Sequence, residues 1–242
     1  MKENNNIKNN CIQADVNGLV LKGAAVLIGC EESQTVCKAF RALGAEAYSC
    51  DLQECSGGHP EWHLKMDVLE AIELKDWDLG IFHPPCTYLS RAAGRWLYNP
   101  DRLKETEKAF ELILKIWNSK IERIAIENPP GWLCTNWQRP TQKIHPYYFG
   151  EQEMKETCLW LKNLPPLKYA MSDNLFETRT ATDHPKPLSS RMGSDGKIKN
   201  KYFVTRMTNA KDRSKTFQSI ADAMAEQWGL GVLAAAPFKT CH

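Results

Sequence analysis

The chain has 242 residues, of which 43% are hydrophobic and 25% are charged, with 14 glycines and 13 prolines. This composition is typical of a folded globular protein and excludes collagen, coiled coils and wholly disordered chains. No apolar stretch approaches the roughly 18 residues of a membrane helix, and the first ten residues lack the apolar core of a signal peptide. We therefore expect a cytoplasmic protein with no membrane partner.

The nine cysteines form neither a disulfide framework nor a recognisable metal-binding pattern. Their number is odd, and no Cys-x-x-Cys pair occurs. The closest grouping of cysteines and histidines, Cys50, Cys55, His59 and His63, departs from the ligand spacing of zinc sites. We interpret the cysteines as free thiols and predict no metal site.

The positive charge is concentrated in one segment. The whole chain carries a formal charge of +2, but residues 186–215 contain nine lysines or arginines and two aspartates, a net charge of +7. Such a run is either a solvated loop or a basic patch that binds nucleic acid. Tyr202 and Phe203 lie within it, and they favour nucleic acid because aromatic rings can stack on bases.

From about Lys22 onward, short apolar runs alternate with helical patterns. The apolar runs predict strands at 24–28, 46–50, 64–67, 78–82, 123–126 and 157–161. Helices are predicted to begin at Ser33 as N-cap, at Asn99-Pro100 and at Ser214. Strands that alternate with helices indicate an α/β fold with a doubly wound, mostly parallel sheet.

The same patterns divide the chain into segments. Residues 1–21 are rich in asparagine and lysine and show no period, which predicts a flexible tail. Prolines and the basic run replace helical patterns over 165–213, which we interpret as a short basic recognition lobe. The catalytic domain then comprises 22–164 and 214–232, and 233–242 form a second tail.

Acidic residues follow the first three predicted strands. The first strand is followed by Gly29, Cys30, Glu31 and Glu32, the second by Asp51 and Leu52, and the third by Asp67 and Val68. In doubly wound folds an acid after the second strand can bind ribose hydroxyls. Carboxylates repel phosphate and attract a sulfonium and an amino group, which favours S-adenosylmethionine. Each acid is equally consistent with a local turn or cap.

A cysteine and a glutamate follow the next two strands. Cys86 ends the sequence His83-Pro84-Pro85-Cys86, in which the prolines restrict the backbone and present the thiol at the strand tip. Glu127 and Asn128 occupy the tip of the fifth strand. We predict that this thiol and this carboxylate lie on one ligand-binding edge of the sheet.

The order and spacing of these motifs resemble the DNA cytosine-5 methyltransferase family, in particular its short phage-type members. Pro85-Cys86 matches the family's catalytic Pro-Cys pair, and Glu127-Asn128 matches its Glu-Asn pair. The segment 27–31 stands at the place of the family's cofactor turn, and 217–225 is similar to its last helix. The resemblance covers about residues 22–228.

This resemblance implies an S-adenosylmethionine-dependent methyltransferase fold that acts on double-stranded DNA in a bacterial or phage-infected cytoplasm, as a monomer. The implied catalytic residues are Pro85, Cys86, Glu127 and Asn128. The implied cofactor-binding residues are Gly29, Cys30, Glu31, Glu32, Asp51, Leu52, Asp67, Val68, Pro84 and Ser219. The candidate substrate-binding residues are Ser90, Arg91, Arg95, Lys155, Thr157, Lys199, Lys201 and Arg206.

The implied reaction needs a covalent intermediate. Carbon 5 of cytosine becomes nucleophilic only after the Cys86 thiolate adds to carbon 6 of a base flipped out of the duplex. Glu127, protonated or hydrogen-bonded at nitrogen 3, offsets the charge that develops on the ring, and we expect its pKa to be raised. Arg91 and Arg95 are candidates for closing over the base, with simple surface charge as the alternative.

The sequence departs from the family in three places. Only Gly29 remains of the family's Phe-x-Gly-x-Gly turn. Glu153, Lys155 and Thr157 replace a glutamine and two arginines that help to hold the target base. The recognition lobe is short, so we expect a brief or relaxed target sequence.

Two alternative functions stay open. The same thiol chemistry could act on RNA, a free nucleotide or uracil, and the missing arginines favour this alternative. A non-catalytic relative that binds DNA or the cofactor is the other alternative, against which the intact Pro-Cys and Glu-Asn pairs argue.

Overall fold

The computed structural model describes residues 13–15, 18–90, 100–151, 153–169, 189–201 and 216–233. In chain order, the elements are β1 (Gln13–Asp15), β2 (Gly18–Lys22), β3 (Ala25–Gly29), α1 (Thr35–Ala42), β4 (Glu46–Asp51), β5 (His63–Lys65), α2 (Val68–Glu73), β6 (Leu79–Phe82), α3 (Pro100–Trp117), β7 (Ile124–Asn128), α4 (Trp132–Asn136), β8 (Gln142–Ile144), β9 (Thr157–Lys162), β10 (Ser189–Met192), β11 (Ile198–Lys201) and α5 (Gln218–Met224). Two short 3-10 helices lie at Pro60–Trp62 and Pro146–Phe149, and α5 continues as a π-helix over Ala225–Leu233.

A seven-stranded sheet in the order β5-β4-β3-β6-β7-β9-β8 organises the fold. The strands from β5 to β7 are parallel, and β9 runs antiparallel to both of its neighbours. The chain moves outward from β3 to β5 and then returns to β6, so the strand order reverses between β3 and β6. This topology confirms the predicted doubly wound, mostly parallel sheet, whose ligand site lies beyond the carboxyl ends of the strands.

The central strands are buried on both faces, which explains their continuous apolar sequences. Val26 and Ile28 of β3 pack in the cluster that contains α1 and α5, whereas Ala25 and Leu27 pack in the cluster that contains α2 and α3. Trp228 is fully buried in the first of these clusters. The core therefore fixes the positions of β3, β6 and β7, and with them the segments that follow the carboxyl ends of these strands.

The predicted tail over 1–21 is wrong at its C-terminal end. Leu21 is completely buried, and its N–H donates to the Leu43 carbonyl at 2.7 Å. The strand that contains Leu21 pairs with β1. An isolated hairpin beside the main sheet has too short an apolar pattern to be distinguished from a polar tail. Residues 1–12 and 234–242 lie outside the described residues.

Helix α1 begins one residue later than predicted, with Gln34 and not Ser33 at its N-cap. The Glu31 carboxylate accepts hydrogen bonds from the N–H groups of Val36 at 2.7 Å and Cys37 at 3.3 Å. These bonds satisfy two N–H groups that a helix start leaves without an intrahelical partner. A carboxylate from the preceding turn thus replaces the side-chain cap that the sequence suggested.

Helix α3 packs on the core mainly through its later turns. Leu103 is 42% exposed, whereas Thr106, Ile113 and Ile116 are buried. The first turns of α3 contact a loop and not the sheet, since the Thr106 hydroxyl donates to the carbonyl of Tyr88 at 3.3 Å. A helical period cannot distinguish these two kinds of neighbour.

The segment that follows β9 stays attached to the sheet. The N–H and C=O groups of Leu167 both bond to the side-chain amide of Gln142, and those of Lys168 bond to Gln227. We therefore propose that the recognition lobe begins after Tyr169 and not at residue 165. Within the predicted lobe, the structure describes an antiparallel hairpin of β10 and β11.

Candidate active site

The predicted site residues meet at one edge of the sheet. The strands β3 to β7 are parallel, so the segments that follow them lie at the same end, here called the carboxyl edge. This edge carries the predicted catalytic residues and all predicted cofactor residues except Ser219. Ser219 lies at the start of α5, which packs against α1, and its buried hydroxyl has no hydrogen-bond partner within the described part of the chain.

Cys86 follows β6 at the beginning of a tight turn. Its carbonyl accepts hydrogen bonds from the N–H groups of Leu89 and Ser90, both at 3.0 Å. Ser90, a candidate substrate-binding residue, forms an isolated β-bridge with Gly131 beyond β7. The backbone that presents the Cys86 thiol is therefore fixed to the segment that follows Glu127 and Asn128.

Helix α3 supports the same turn from the other side. The Arg102 guanidinium donates to the Thr87 carbonyl at 3.2 Å and lies 5.2 Å from the centre of the Tyr88 ring. Arg91 and Arg95, which follow this turn in the chain, lie outside the described residues.

Glu127 lies in a set of hydrogen bonds that the sequence did not reveal. Its Oε2 atom is 3.1 Å from His83 Nδ1, and the Thr157 hydroxyl donates to the same carboxylate. Burial by itself raises the pKa of Glu127, but the His83 hydrogen bond and charge, the charge of Lys155 and the Thr157 hydroxyl together hold this pKa below its ordinary value. The expectation of a raised pKa for Glu127 is therefore wrong.

The Cys86 thiol lies in the field of the same groups. Burial raises its pKa, and the nearby Glu127 carboxylate raises it further, while Lys155 acts in the opposite direction. The thiol and the carboxylate thus influence each other, as expected for side chains that meet at one edge. The reactive thiolate needs additional positive charge or a proton acceptor to form.

Asn128 holds two strands together. It is almost completely buried, and its Nδ2 atom donates to the Pro84 carbonyl at 2.9 Å. This bond connects the end of β7 to the segment that carries Pro85 and Cys86. The structure therefore gives Asn128 a positioning role at the site, and Pro84 a backbone contact with Asn128.

The first three strand ends create an acidic region. Burial, followed by the charges of Asp51 and nearby groups including Asp67, raises the pKa of the Cys30 thiol to about 12. The two carboxylates therefore lie near the same side chain. Leu52 beside them is 70% exposed. Carboxylate acceptors next to an exposed apolar side chain fit a ligand with hydroxyls, an apolar ring and a positive charge, and they disfavour phosphate.

The acids of this region are not equivalent. Glu31 is only 4% exposed, and both of its oxygens cap α1. Asp67 accepts from the Leu69 N–H at 2.7 Å as the N-cap of α2, and Asp51 accepts from the Gln53 N–H at 2.9 Å. A local capping or turn role thus accounts for one oxygen of Asp51, one oxygen of Asp67 and both oxygens of Glu31.

Gly29 and Val68 serve close packing at the same edge. A Cβ atom on Gly29 would lie 2.4 Å from the Phe82 ring and 2.5 Å from the Val68 side chain. Gly29 therefore allows β3, β6 and α2 to approach one another. This close packing explains why a glycine stands at this position of the turn.

The substrate-binding candidates are only partly brought together. Lys155 and Thr157 both act on the Glu127 carboxylate, Lys155 by its charge and Thr157 by a hydrogen bond. Lys199 and Lys201 lie in β11, opposite Arg191 and Ser189 of β10. Arg206 falls outside the described residues. His83 is the residue that the sequence analysis missed, and the signal for it was a titratable side chain directly before the Pro-Pro-Cys sequence.

Glu127 should make the stability of the protein depend on pH. Its folded-state pKa is lowered, so the stabilisation is present above the unfolded-state pKa of about 4.3 and is lost as the pH falls through the lower folded-state value. We expect the free energy of unfolding of the wild type to fall more steeply below pH 4.3 than that of Glu127→Gln, by up to about 1.4 kcal/mol per pH unit. Urea denaturation between about pH 2.5 and 7 measures this difference, and parallel curves for the two proteins would contradict it.

The antiparallel strand β9 between β7 and β8 completes a doubly wound, mostly parallel α/β sheet of seven strands. The predicted fold class is therefore confirmed. In the described part of the chain, no helix is both long enough and apolar enough to cross a membrane.

Several solved methyltransferase structures are similar to this chain. One is assigned as a DNA modification methyltransferase encoded within an Escherichia coli prophage, with a TM-score of 0.39 and 13% identity over 65% of this chain and 53% of that one. An rRNA methylase from Escherichia coli gives 0.34 and 16% over 57% of both chains, and a 16S rRNA methylase gives 0.33 and 16% over 57% of this chain and 56% of that one. The alignments thus span little more than half the length of these structures. The sequence matches no protein-family model and no curated protein.

Proposed function

We propose that this protein transfers a methyl group from S-adenosylmethionine to carbon 5 of cytosine in DNA, through a covalent adduct with Cys86. The observation that carries this proposal is that Cys86 follows β6 and Glu127 lies at the end of the neighbouring parallel strand β7, with the two segments joined by the Asn128–Pro84 hydrogen bond at 2.9 Å. A nucleophile beside a group that can bind the opposite side of a pyrimidine ring is what addition at carbon 6 needs. Lys155 acts on both side chains.

The residues at the edge fit the cofactor. Asp51 is partly exposed and Asp67 is exposed, and Leu52 offers an exposed apolar contact, so we assign these three to the cofactor. Cys30 and Glu32 complete the turn beside them, with Gly29 and Val68 shaping it. When bound, S-adenosylmethionine supplies an electrophilic methyl group. Glu31 supports this site as the buried cap of α1 and not as a ligand.

The side chains of this site would act in a defined sequence. The Cys86 thiolate forms a bond to carbon 6, and the electron pair that this displaces makes carbon 5 nucleophilic. Glu127 binds the ring at nitrogen 3, where negative charge develops. Asn128 and Pro84 hold the two segments in register, since their hydrogen bond joins the ends of β6 and β7. After transfer, a solvent water takes the carbon 5 proton, and the electron pair of that C–H bond re-forms the double bond between carbons 5 and 6 as the thiolate leaves.

The hairpin of β10 and β11 supports a nucleic-acid substrate. Residues 189–201 contain four basic residues and one acidic residue. Met192 and Ile198 are paired across its strands and are 71% and 67% exposed. A basic hairpin with exposed apolar side chains at its tip suits a polyanion whose bases can be contacted. A target cytosine must leave the duplex to reach Cys86.

Nucleoside mass spectrometry tests the proposed reaction. The protein is expressed in a host that lacks its own cytosine methylation, and both DNA and RNA are digested and analysed. We expect 5-methylcytosine in DNA from cells that express the wild type and none in DNA from cells that express Cys86→Ala. No methylated pyrimidine with the wild type, although the purified protein is folded, would overturn the proposal.

A uracil-type substrate is the second candidate, and one observation favours it. The lowered pKa of Glu127, which the His83 and Thr157 hydrogen bonds and the Lys155 charge cause against burial, makes this side chain an acceptor. Uracil carries N–H at position 3 and would donate to it, whereas cytosine has a bare nitrogen there. 5-Methyluridine in RNA, without 5-methylcytosine in DNA, would establish this candidate in place of the first.

A further inference from the structure

His83 lies between the cofactor turn and the catalytic pair. Its backbone N–H donates to the Gly29 carbonyl at 3.0 Å, and its Nδ1 atom is 3.1 Å from Glu127 Oε2. Its charge also lowers the pKa of Glu31, against the dominant effect of burial on that group. His83 is thus the side chain that connects the end of β3 to the end of β7.

The second ring nitrogen of His83 is unused. The side chain is only 10% exposed, and its Nε2 atom is buried with no hydrogen-bond partner among the described residues. A buried polar atom without a partner is destabilising. An amide side chain could also donate to Glu127, but only an imidazole can accept a proton at one ring nitrogen while it releases one at the other. The imidazole therefore has a use that an amide lacks, and that use is proton transfer.

The proposed reaction needs a proton at this point. Glu127 is an anionic acceptor here, while nitrogen 3 of cytosine has no hydrogen to donate. A carboxylate and a bare ring nitrogen repel each other unless a proton lies between them. Among the described groups that act on Glu127, Lys155 contributes charge and Thr157 a hydroxyl donor, and His83 is the one whose ring can pass a proton to the carboxylate and take it back.

We propose that His83 is the positioning residue that supplies Glu127 with the proton it donates to nitrogen 3, so that the His83–Glu127 pair makes this site selective for cytosine. This inference rests on the proposed function. The His83 Nδ1–H bond breaks as the Glu127 O–H bond forms, which leaves a neutral imidazole and a neutral carboxyl. The carboxyl O–H bond then breaks as the N3–H bond forms, while the Cys86 sulfur bonds to carbon 6. The proton returns along the same path when the thiolate leaves.

Charged groups from several elements act on His83 and Glu127. Glu127 of β7 contacts it directly, and Glu31 acts on it from the β3–α1 turn. Lys155 acts on both Glu127 and Cys86, and Cys86 follows His83 in the same segment. The charged groups around His83 are thus two carboxylates, with Lys155 acting on one of them.

The test compares wild type with His83→Asn in single-turnover methylation of DNA from about pH 5.5 to 9, at saturating S-adenosylmethionine. The asparagine amide can still donate to Glu127, but it cannot release a proton. We expect KM for DNA to change less than about threefold and the maximal rate to fall about 100-fold or more, which is typical of lost acid–base catalysis. The decline of the wild-type rate at high pH should be absent from the variant. His59→Asn, an exposed histidine change, should behave as the wild type.

A second measurement does not depend on activity. In ¹⁵N-histidine NMR spectra at pH 7 we expect both ring nitrogens of His83 to be protonated in the wild type, and one to lose its proton in Glu127→Gln. A neutral His83 in an active enzyme, or His83→Asn with the wild-type rate and pH profile, would overturn the inference alone. A protonated His83 in a protein that forms no methylated base would support the pair and overturn the proposed function.

Discussion

Replacing Cys86 with alanine is expected to lower the rate of methyl transfer at least about 10⁴-fold, which is typical for removal of an enzyme's nucleophile. The neighbouring Cys30 thiol is a poor candidate for the bond to carbon 6, because burial, followed by Asp51 and nearby groups, raises its pKa to about 12. Binding of the cofactor should change little, since the residues assigned to it follow other strands. Filter-based transfer of labelled methyl groups and calorimetric titration measure the two quantities.

The matched control for this change is Cys134→Ala in α4, which also removes a half-buried thiol. It should leave methyl transfer within about twofold of the wild type. Both variants should unfold within a few degrees of the wild type, because loss of one small side chain that is not fully buried costs little. A Cys86→Ala protein that still methylates within tenfold of the wild-type rate would contradict the assigned nucleophile.

Replacing Gly131 with alanine is expected to lower both stability and activity. A Cβ atom at this position would lie 2.0 Å from the Leu89 carbonyl oxygen and 2.9 Å from the Ser90 backbone. The backbones must therefore separate, which breaks the Ser90–Gly131 bridge and the bond from Trp132 N–H to Leu89 O at 2.7 Å. We expect a loss of about 3 kcal/mol in the free energy of unfolding, the upper part of the range for overpacking.

The activity of Gly131→Ala should fall about 100-fold even at temperatures where the protein is folded. The displaced segment, residues 86–90, forms the turn that presents Cys86, and a shift of about 1 Å at reacting atoms lowers a rate about 100-fold. Gly58→Ala is the matched control, because a Cβ atom there meets nothing within 4 Å and only its positive φ of 89° is unfavourable. It should cost about 1–2 kcal/mol and leave the rate per folded molecule unchanged. Equal effects of the two substitutions would contradict the close-approach argument.

The proposed roles of Cys86 and His83 explain different properties of one site. Cys86 provides the covalent bond, and its removal should abolish reaction at every pH. His83 acts through Glu127, so its replacement should leave a slow reaction with a changed pH profile. The two experiments therefore separate failure of the chemistry from failure of the proton path.

Much of the fold could be predicted from the sequence, because it depends on local patterns. Apolar runs of strand length and helical periods placed β3, β4, β6, β7 and β9 within about two residues. The position of Cys86 after β6 and of Glu127 at the tip of β7 followed from these patterns, since parallel strands end at one edge. The predictions were least accurate for residues whose partners are distant in the sequence. Leu21, for example, is buried by contacts with distant elements that no local pattern reveals.

The charge states of the site depended on the tertiary structure. The sequence by itself determined which strand ends carry a thiol, a carboxylate and a group of acids. It did not determine that His83 and Thr157 bond to Glu127, because 44 residues separate His83 from Glu127 and the antiparallel strand β9 brings Thr157 beside β7. It also did not determine that both oxygens of Glu31 accept hydrogen bonds from the start of α1. A pKa is set by burial and by the nearest charges, and both are properties of packing in three dimensions.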